Sequence, residues 1–504
     1  MNINFDNVQG NILKGFNKDN VRLIFFNIES KDGASKWFRS LVEQKKIPST
    51  NDLIESSKKM NEKWNSGDPN FKPRETWFHV AFSANGIKKF GLELPPSHNA
   101  YGFQHLDPND PKDPEPVLQD GSVVVDENDP FNAGMKKRAS ILGDKGTDDP
   151  SNWIEPFNQK SGSIDGVLRI DSDEPEDADT ATVDLISEFN KRGIAFVGLL
   201  KGTAIYNMHH KQIEHFGFRD GVSQPLFEGI DDDEIKKRKI EKDVHDPKKF
   251  VLFDLKGKRS WANDGSFMVV RRLSQDFPGF WMFMEQKSKE TKKELGLSSV
   301  DLAARFVGRW PSGAPLAKFQ DGDPVLPAEF DDNDFKYLDN KEEDSKKEHP
   351  ELNDPRGEKT PRFAHIRKVY PRDDGLSNDP ETNDKQVDTH RIIRRGIAFG
   401  ARFEDDEDGE RGLIFMCYQL DLANQFEFIQ RQFANNPDFP LQDPQASEGH
   451  GIDAIIGKHD KAFVNFLKGN KFKRINGFKE WVTTTGGEYF FSPSLNTLKS
   501  LPGG

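Results

Sequence analysis

The chain has 504 residues, of which 34% are hydrophobic and 31% charged, and 41 of them are phenylalanine. Single hydrophobic cores stop growing at roughly 250–300 residues, so this length predicts two domains. The formal net charge is −13 and no basic block stands apart from acidic neighbours, which argues against nucleic acid or an anionic membrane as the partner.

The cysteine count and the hydropathy pattern narrow the class of protein further. Cys417 is the single cysteine, which excludes an intramolecular disulfide framework and any multi-cysteine zinc or iron–sulfur site. The first residues lack the pattern of a secretory signal, and no apolar run approaches the ~18–20 residues that span a bilayer. We therefore expect a cytoplasmic protein without a membrane segment.

Four segments of the first half read as regular elements. VRLIFFNI (21–28) predicts a buried strand, and TWFHVAFSANGIKKFGL (76–92) predicts a strand that turns into a helix. IDGVLRIDSD (164–173) predicts a further strand, and the apolar residues of 180–193 recur at helical spacing. This order predicts an α+β layer.

The second half has the same alternation of predicted strands and helices, without a detectable repeat of sequence. Strands are predicted at 265–273 and 411–420, and helices at 300–310 and 423–435. Between these elements, three polar stretches rich in Asp, Pro, Lys and Glu are expected to be solvated loops, because their composition buries too little apolar surface to offset the entropy of ordering. They are 107–137, 229–249 and 318–360.

Three charged or titratable residues stand in unusual surroundings. Asp220 lies between phenylalanine and glycine in HFGFRDGVSQP (215–225), where a surface turn would need neither the phenylalanines nor the Ser-Gln-Pro exit. His365 has apolar neighbours and cations on its C-terminal side, which favours the neutral imidazole that ligates iron, although a structural histidine fits the same residues. Arg394 follows two isoleucines and precedes a glycine, as if a strand delivered it to a cleft.

Other possible metal ligands have simpler explanations. His209 and His210 are adjacent, so an extended chain points them to opposite sides, and neither they nor nearby His215 show the spacing of a single metal site. Cys417 lies within an apolar strand, where a neutral buried thiol is commoner than a thiolate ligand.

The ordered set of motifs resembles one enzyme family. GFRDGVSQP is similar to the G-x-x-D-G motif of the dye-decolorizing peroxidases, which are haem peroxidases. DGSFMVVRRLSQD, AHIRKVYPR, RIIRRGIAFG and RGLIFMCYQLDLANQFEFIQ follow in the order of the family's blocks. The likeness runs from NVQGNILKGF near the amino terminus to GGEYFFSPS near the carboxyl terminus, and it is closest to the larger members.

The resemblance implies both a fold and an activity. The fold is α+β with two ferredoxin-like domains, each an antiparallel sheet with flanking helices, which we expect at residues 1–228 and 250–504, with haem b held mainly by the C-terminal half. The activity is reduction of hydrogen peroxide with oxidation of dyes and phenolic compounds. A haem-handling protein with the same fold and little turnover is the alternative.

The resemblance also implies residue roles. Asp220 becomes the distal acid–base, Arg394 the cation that stabilises O–O cleavage, and His365 the axial ligand of the haem iron. A proximal histidine generally donates its other N–H to an acceptor, for which Asp453 is the first candidate and Asp421 the second.

Further residues are implied on the distal side and at the surface. Leu413 and Phe415 lie two apart on a predicted strand and so share one face, which by family likeness walls the distal pocket, while ordinary core packing gives the same pattern. Bulky dyes cannot reach a buried haem edge, so surface Trp or Tyr residues are expected to relay electrons. By residue type alone, the candidates are Trp281, Trp310 and Tyr337.

Overall fold

The structure, a computed structural model, combines one large antiparallel sheet with helices. It describes residues 3–65, 74–98, 125, 127–158, 164–232, 235, 244–326, 333–338, 341–342, 347–348, 353–375, 379–440, 449–458, 462–469, 471–477 and 479–503. The strands are β1 (Asn20–Ile28), β2 (Thr76–Phe82), β3 (Gly166–Ser172), β4 (Ile194–Thr203), β5 (Ile205–Tyr206), β6 (Gln212–Ile213), β7 (Leu226–Phe227), β8 (Val244–His245), β9 (Ser266–Gln275), β10 (Lys341–Glu342), β11 (Lys347–Glu348), β12 (Ile393–Arg394), β13 (Ile397–Phe399), β14 (Gly412–Gln419), β15 (Phe463–Lys468), β16 (Lys471–Asn476) and β17 (Val482–Ser492).

Helices flank the sheet and carry part of the site. The α-helices are Lys31–Glu43, Thr50–Asn65, Ala84–Lys89, Pro130–Ala133, Met135–Leu142, Pro175–Phe189, Pro247–Phe250, Phe277–Glu290, Ser299–Val307, His365–Val369, Pro380–Asp388 and Leu495–Lys499. Two π-helical segments cover Leu422–Phe426 and Ile429–Ala434. Among the described residues, none of these helices has the length and apolar character needed to cross a bilayer.

The large sheet joins strands from both halves of the chain. Its order is β12-β14-β9-β17-β2-β3-β1-β4, with β13 also paired to β14. β17 runs antiparallel to β9 along its length and meets β2 where Phe491 pairs with Phe82. The predicted α+β class with antiparallel sheets is confirmed, and the division into 1–228 and 250–504 remains a prediction.

The predicted elements of the first half form because their sequences suit buried positions. β1 is almost wholly buried, since β3 and β4 flank it on both edges. The predicted turn from strand to helix after β2 is stabilised by Ser83, whose hydroxyl accepts a hydrogen bond from the N–H of Gly86 at 3.2 Å. The helix expected at 180–193 begins earlier, at Pro175, a favoured first helical residue.

Some polar stretches contain more structure than their composition predicts. Much of 107–137, 229–249 and 318–360 lies outside the described residues, but helix Pro130–Ala133 and the start of the next helix occupy the end of the first stretch. There the buried carboxylate of Asp129 accepts hydrogen bonds from the N–H groups of Phe131 and Asn132, which caps the helix. The expectation of a loop was wrong at this point, because a local cap and burial of Phe131 outweigh the polar composition.

Two apolar cores position the site between them. The larger core contacts the sheet and draws residues from Val8 to Leu501. The second lies under helices Phe277–Glu290 and Ser299–Val307 and includes Phe216 and Phe218. Because a buried phenylalanine contributes roughly 1.5–3 kcal/mol, these two side chains anchor the segment that carries Asp220.

Candidate active site

The segment 214–225 forms a tight loop, and most of its residues line one cavity. Phe216 stacks on Phe280 with ring centroids 4.4 Å apart. Gly217 and Gly221 have φ of 95° and 72°, a left-handed backbone that favours glycine. These turns bring Asp220 to a cavity wall while the phenylalanines on its N-terminal side stay buried.

Arg394 meets this loop from β12. Its Nη1 donates to Asp220 Oδ1 at 3.0 Å and its Nη2 donates to the carbonyl oxygen of Ser223 at 2.9 Å. The backbone N–H of Gly221 also donates to Asp220 Oδ1, at 2.6 Å. The carboxylate and the guanidinium are therefore held together, and both line the cavity.

His365 begins a short helix on another wall of the same cavity. Its Nδ1 lies 2.8 Å from Asp453 Oδ2, and the other oxygen of Asp453 accepts the N–H groups of Ile455 and Ile456 at 2.8 and 3.0 Å. Asp421 instead accepts the N–H of Asn424 at the start of a π-helical segment. Of the two candidate acceptors, the structure places Asp453 beside His365.

The cavity measures about 260 Å³ and brings together side chains that are far apart in the chain. Leu413 and Phe415 both point into it from β14, as their spacing predicts, while Asp453 lies buried behind the imidazole. Outside residues 214–223, all of its lining residues fall between 271 and 484. Five of the six predicted site residues lie in its wall, namely Asp220, His365, Arg394, Leu413 and Phe415, and the predicted relay residue Tyr337 also lines it.

Comparison with known proteins identifies the fold and the enzyme class. A family model described as "DyP dimeric alpha+beta barrel domain" matches residues 7–108, and a second, "Dyp-type peroxidase, C-terminal", matches residues 328–443. A dye-decolorizing peroxidase of Mycena epipterygia is 30% identical over 99% of this chain and 87% of its own length. The chain belongs to the dye-decolorizing peroxidase family. It is therefore an enzyme of a haem peroxidase family.

Two further members of the dye-decolorizing peroxidase family extend the comparison. The multifunctional dye peroxidase DyP2 of Amycolatopsis sp. is 28% identical over 98% of this chain and 95% of its own. A solved dye-decolorizing peroxidase in complex with 2,6-dimethoxyphenol is 27% identical, with a TM-score of 0.73 and full coverage of both chains. The match covers at least 95% of the length of each of these two relatives.

Arg271, in the cavity wall, indicates whether the cavity suits the haem of a dye-decolorizing peroxidase. Its Nη2 donates to Asp144 and Thr484, while its buried Nε and Nη1 have no partner among the residues that the structure describes. A buried guanidinium with N–H groups left over is suited to a carboxylate, and haem b carries two such groups. With the apolar walls and the imidazole, the residues present fit a haem.

Glu214 is a site residue that sequence reasoning missed. Its carboxylate accepts the N–H groups of Phe216 and Phe218, both at 2.9 Å, and an N–H of Gln275 at 2.6 Å. Burial, reinforced by the nearby charge of Asp220, raises the pKa of Glu214 to about 7. The available signal was a charged residue directly before a loop of aromatic residues and glycines.

The proposed relay residues occupy different environments. Trp310 and Tyr337 are buried, with 2% and 0% of their surface exposed, so the expectation that they lie at the surface was wrong. Trp310 packs in the second core, and Tyr337 lines the cavity from a small apolar cluster, positions that residue type alone does not reveal. Trp281 is half-buried, and its ring lies parallel to that of Phe218 at a centroid distance of 6.5 Å.

The remaining candidate ligands lie away from the cavity. Cys417 is fully buried in β14, and burial raises the pKa of its thiol, as expected for a neutral side chain. His209 and His210 are exposed at the end of the β5–β6 hairpin. Within the described part of the chain, no group of three or more His, Cys, Asp or Glu residues could hold a metal ion.

Proposed function

We propose that this member of the family is a haem b peroxidase that reduces hydrogen peroxide and oxidises dyes and phenolic compounds. The observation that carries the proposal is the placement of Asp220, Arg394 and His365 in the wall of one cavity. A haem carrier needs only the axial ligand, so the Asp220–Arg394 pair favours the enzyme over the haem-handling alternative. The solved relative named as a complex with 2,6-dimethoxyphenol supports phenols as substrates.

The proximal side would hold the iron through His365. Its Nδ1 is engaged with buried Asp453, which leaves Nε2 as the ring nitrogen that would bind the iron. The carboxylate fixes the orientation and tautomer of the imidazole, and it makes Nε2 more basic and so a better ligand for iron. When bound, the haem supplies the redox centre that passes electrons from the reducing substrate to peroxide.

Asp220 would move the proton that O–O cleavage requires. It accepts a proton from one oxygen of hydrogen peroxide and delivers it to the other, which then leaves as water. Arg394 stabilises the negative charge that develops on the departing oxygen. Over a full cycle one hydrogen peroxide becomes two water molecules, while two substrate molecules each give up one electron and one proton.

The C-terminal half would hold most of the haem. Apart from the 214–223 loop, the cavity wall is built from residues of this half, including Arg271 and the apolar pair on β14. The first half would therefore supply the acid–base group, and the range 250–504 would supply the axial ligand and most of the contacts. The predicted domains would meet at the active site.

Bulky dyes would be oxidised at the surface through Trp281. Its ring packs against Phe218, a residue of the cavity wall, and part of it is exposed. Small phenols would instead reach the cavity directly. Trp281 is thus the one of the three sequence candidates that is both partly exposed and stacked on a residue of the cavity wall.

An absorption spectrum before and after addition of hydrogen peroxide tests the proposed function. The purified protein should show a strong Soret band that changes on peroxide addition and returns when a dye or 2,6-dimethoxyphenol is added. A haem spectrum that does not respond to peroxide would favour the haem-handling alternative. Absence of a haem band after reconstitution with haem b would exclude both.

A further inference from the structure

The side-chain amide of Gln224 forms hydrogen bonds with both the N–H and the carbonyl group of the Arg394 backbone. The N–H of Arg394 donates to Gln224 Oε1 at 3.1 Å, and Gln224 Nε2 donates to the carbonyl oxygen of Arg394 at 3.1 Å. A side-chain amide carries a donor and an acceptor as a peptide group does, so this pairing resembles one rung of a sheet.

The Gln224 side chain bonds to the outer edge of β12, where no further strand of the large sheet pairs among the described residues. β12 is the terminal strand and contains only two residues, which pair with β14 through Ile393 with Tyr418 and Arg394 with Cys417. On the other edge of β12, the N–H and carbonyl groups of Arg394 face Gln224. A two-residue edge strand has few hydrogen bonds of its own, so we expect the two bonds to Gln224 to help hold it in place.

The same segment holds the side chain of Arg394. Asp220 and the carbonyl group of Ser223 accept its guanidinium N–H groups, at 3.0 and 2.9 Å. Residues 220–224 therefore fix Arg394 at its backbone and at its charged end. The amide of Gln224 holds the backbone of Arg394, and the contacts with Asp220 and Ser223 hold its guanidinium group.

We propose that Gln224 is a positioning residue that sets the guanidinium of Arg394 against Asp220 for the reaction with peroxide. The inference rests on the proposed function, since it gives Gln224 a role only through Arg394. Displacement of a reacting or charge-stabilising group by about 1 Å can cost up to ~10²-fold in rate. Gln224 does not line the cavity, so its effect would be indirect.

The chain contains a matched control for this amide. Gln9 makes the same reciprocal pair with Val80, whose N–H donates to Oε1 at 3.1 Å and whose carbonyl accepts from Nε2 at 3.0 Å. It is fully buried and does not line the cavity. Its Nε2 also donates to the carbonyl oxygen of Pro493 at 2.6 Å, so Gln9→Met removes the same pair and one further bond, and it reports the effect of such a loss on folding alone.

The test compares Gln224→Met with Gln9→Met in the haem-loaded protein. Methionine has a similar length but forms neither hydrogen bond. Gln224→Met should slow the peroxide-dependent spectral change by about tenfold or more. It should leave KM for the dye unchanged and should speed hydrogen exchange of the Arg394 amide. Gln9→Met should leave the peroxide step unchanged even where it lowers the thermal midpoint.

A double-mutant cycle separates this inference from the proposed function. If Gln224 acts through Arg394, Gln224→Met should cause no further slowing in an Arg394→Leu background. Multiplicative slowing in the double variant, or an unchanged rate in Gln224→Met while Arg394→Leu is slow, would overturn the positioning role. An unchanged rate in Arg394→Leu would instead overturn the role proposed for Arg394. Should Gln224→Met not fold, Gln224→Asn, which is one methylene too short, carries the same comparison.

Discussion

Arg394 and Asp220 stand 174 residues apart in the chain, and the guanidinium donates to the carboxylate at 3.0 Å. Both side chains keep a partly exposed surface in the cavity, 30% for Arg394 and 28% for Asp220. A surface pair of this kind contributes little to stability, at most about 1 kcal/mol. The arrangement is therefore better explained by chemistry in the cavity than by folding.

Replacement of Arg394 tests this explanation. Arg394→Leu should slow the peroxide-dependent step by at least ~10²-fold, as loss of one fixed donor to a developing negative charge does in other enzymes. Stopped-flow absorption measures the step. The control is Arg74→Leu, which breaks an exposed arginine–aspartate pair with Asp177. Equal rates for wild type and Arg394→Leu would leave Arg394 a structural role.

His365 is expected to be required for haem retention. His365→Ala removes the imidazole that Asp453 orients and should abolish or greatly weaken binding of haem, because the iron loses its protein ligand. The ratio of Soret to protein absorbance after reconstitution measures the loss. The exposed residue His209, changed to Ala, is the control. A native Soret band and full activity in His365→Ala would refute the assignment.

Trp281 is expected to matter for large substrates and not for small ones. Trp281→Phe should lower the rate of oxidation of a bulky dye at least about tenfold, since Phe is far harder to oxidise, and should leave 2,6-dimethoxyphenol oxidation nearly unchanged. Steady-state rates with the two substrates measure the difference. Trp261→Phe, at a half-buried tryptophan packed on Phe491, is the control. Equal losses for both substrates would argue against a relay.

Glu214 is expected to make stability depend on pH. Its pKa rises from 4.5 to about 7 on folding, so between these values the folded protein keeps a proton that the unfolded chain releases. The free energy of unfolding should therefore fall as pH rises through this window, by at most about 1.4 kcal/mol per pH unit. Denaturant unfolding at several pH values measures the slope.

The Glu214→Gln variant supplies the comparison for that slope. It cannot ionise, so its free energy of unfolding should lack the fall between about pH 4.5 and about pH 7. The amide NH2 of glutamine cannot accept one of the two N–H groups of Phe216 and Phe218, so the variant should be less stable at every pH, which does not affect the slope. Glu285→Gln, at a side chain with 64% exposure, should keep the wild-type slope. Parallel curves for wild type and Glu214→Gln would contradict the prediction.

Local pattern was sufficient for the strands and for the ordered motifs. β1 and β14 could be recognised because a largely buried strand is a short, nearly continuous run of apolar residues. The same is true of the spacing of Leu413 and Phe415, since alternation along a strand is a property of the backbone itself. The fold class could therefore be predicted, and the motif order indicated the family.

Long-range packing decided what local pattern left open. The sequence favours Asp453 over Asp421 only by likeness to a family block, and it is the packing of residues 449–458 against helix His365–Val369 that brings Asp453 to the imidazole. Trp310 and Tyr337 are buried because other elements cover them, which their own neighbours in sequence do not indicate.

The amino-acid sequence by itself determined which residue types were present for peroxide chemistry and in which order they occur. The tertiary structure alone decided that Glu214 is desolvated and accepts an N–H of Gln275, and that Gln224 pairs with the backbone of Arg394. Both depend on contacts across the sheet and loop, 170 residues apart for Gln224 and Arg394. Such contacts form only when strand order, register and loop path are all fixed together, and no stretch of the chain encodes them on its own.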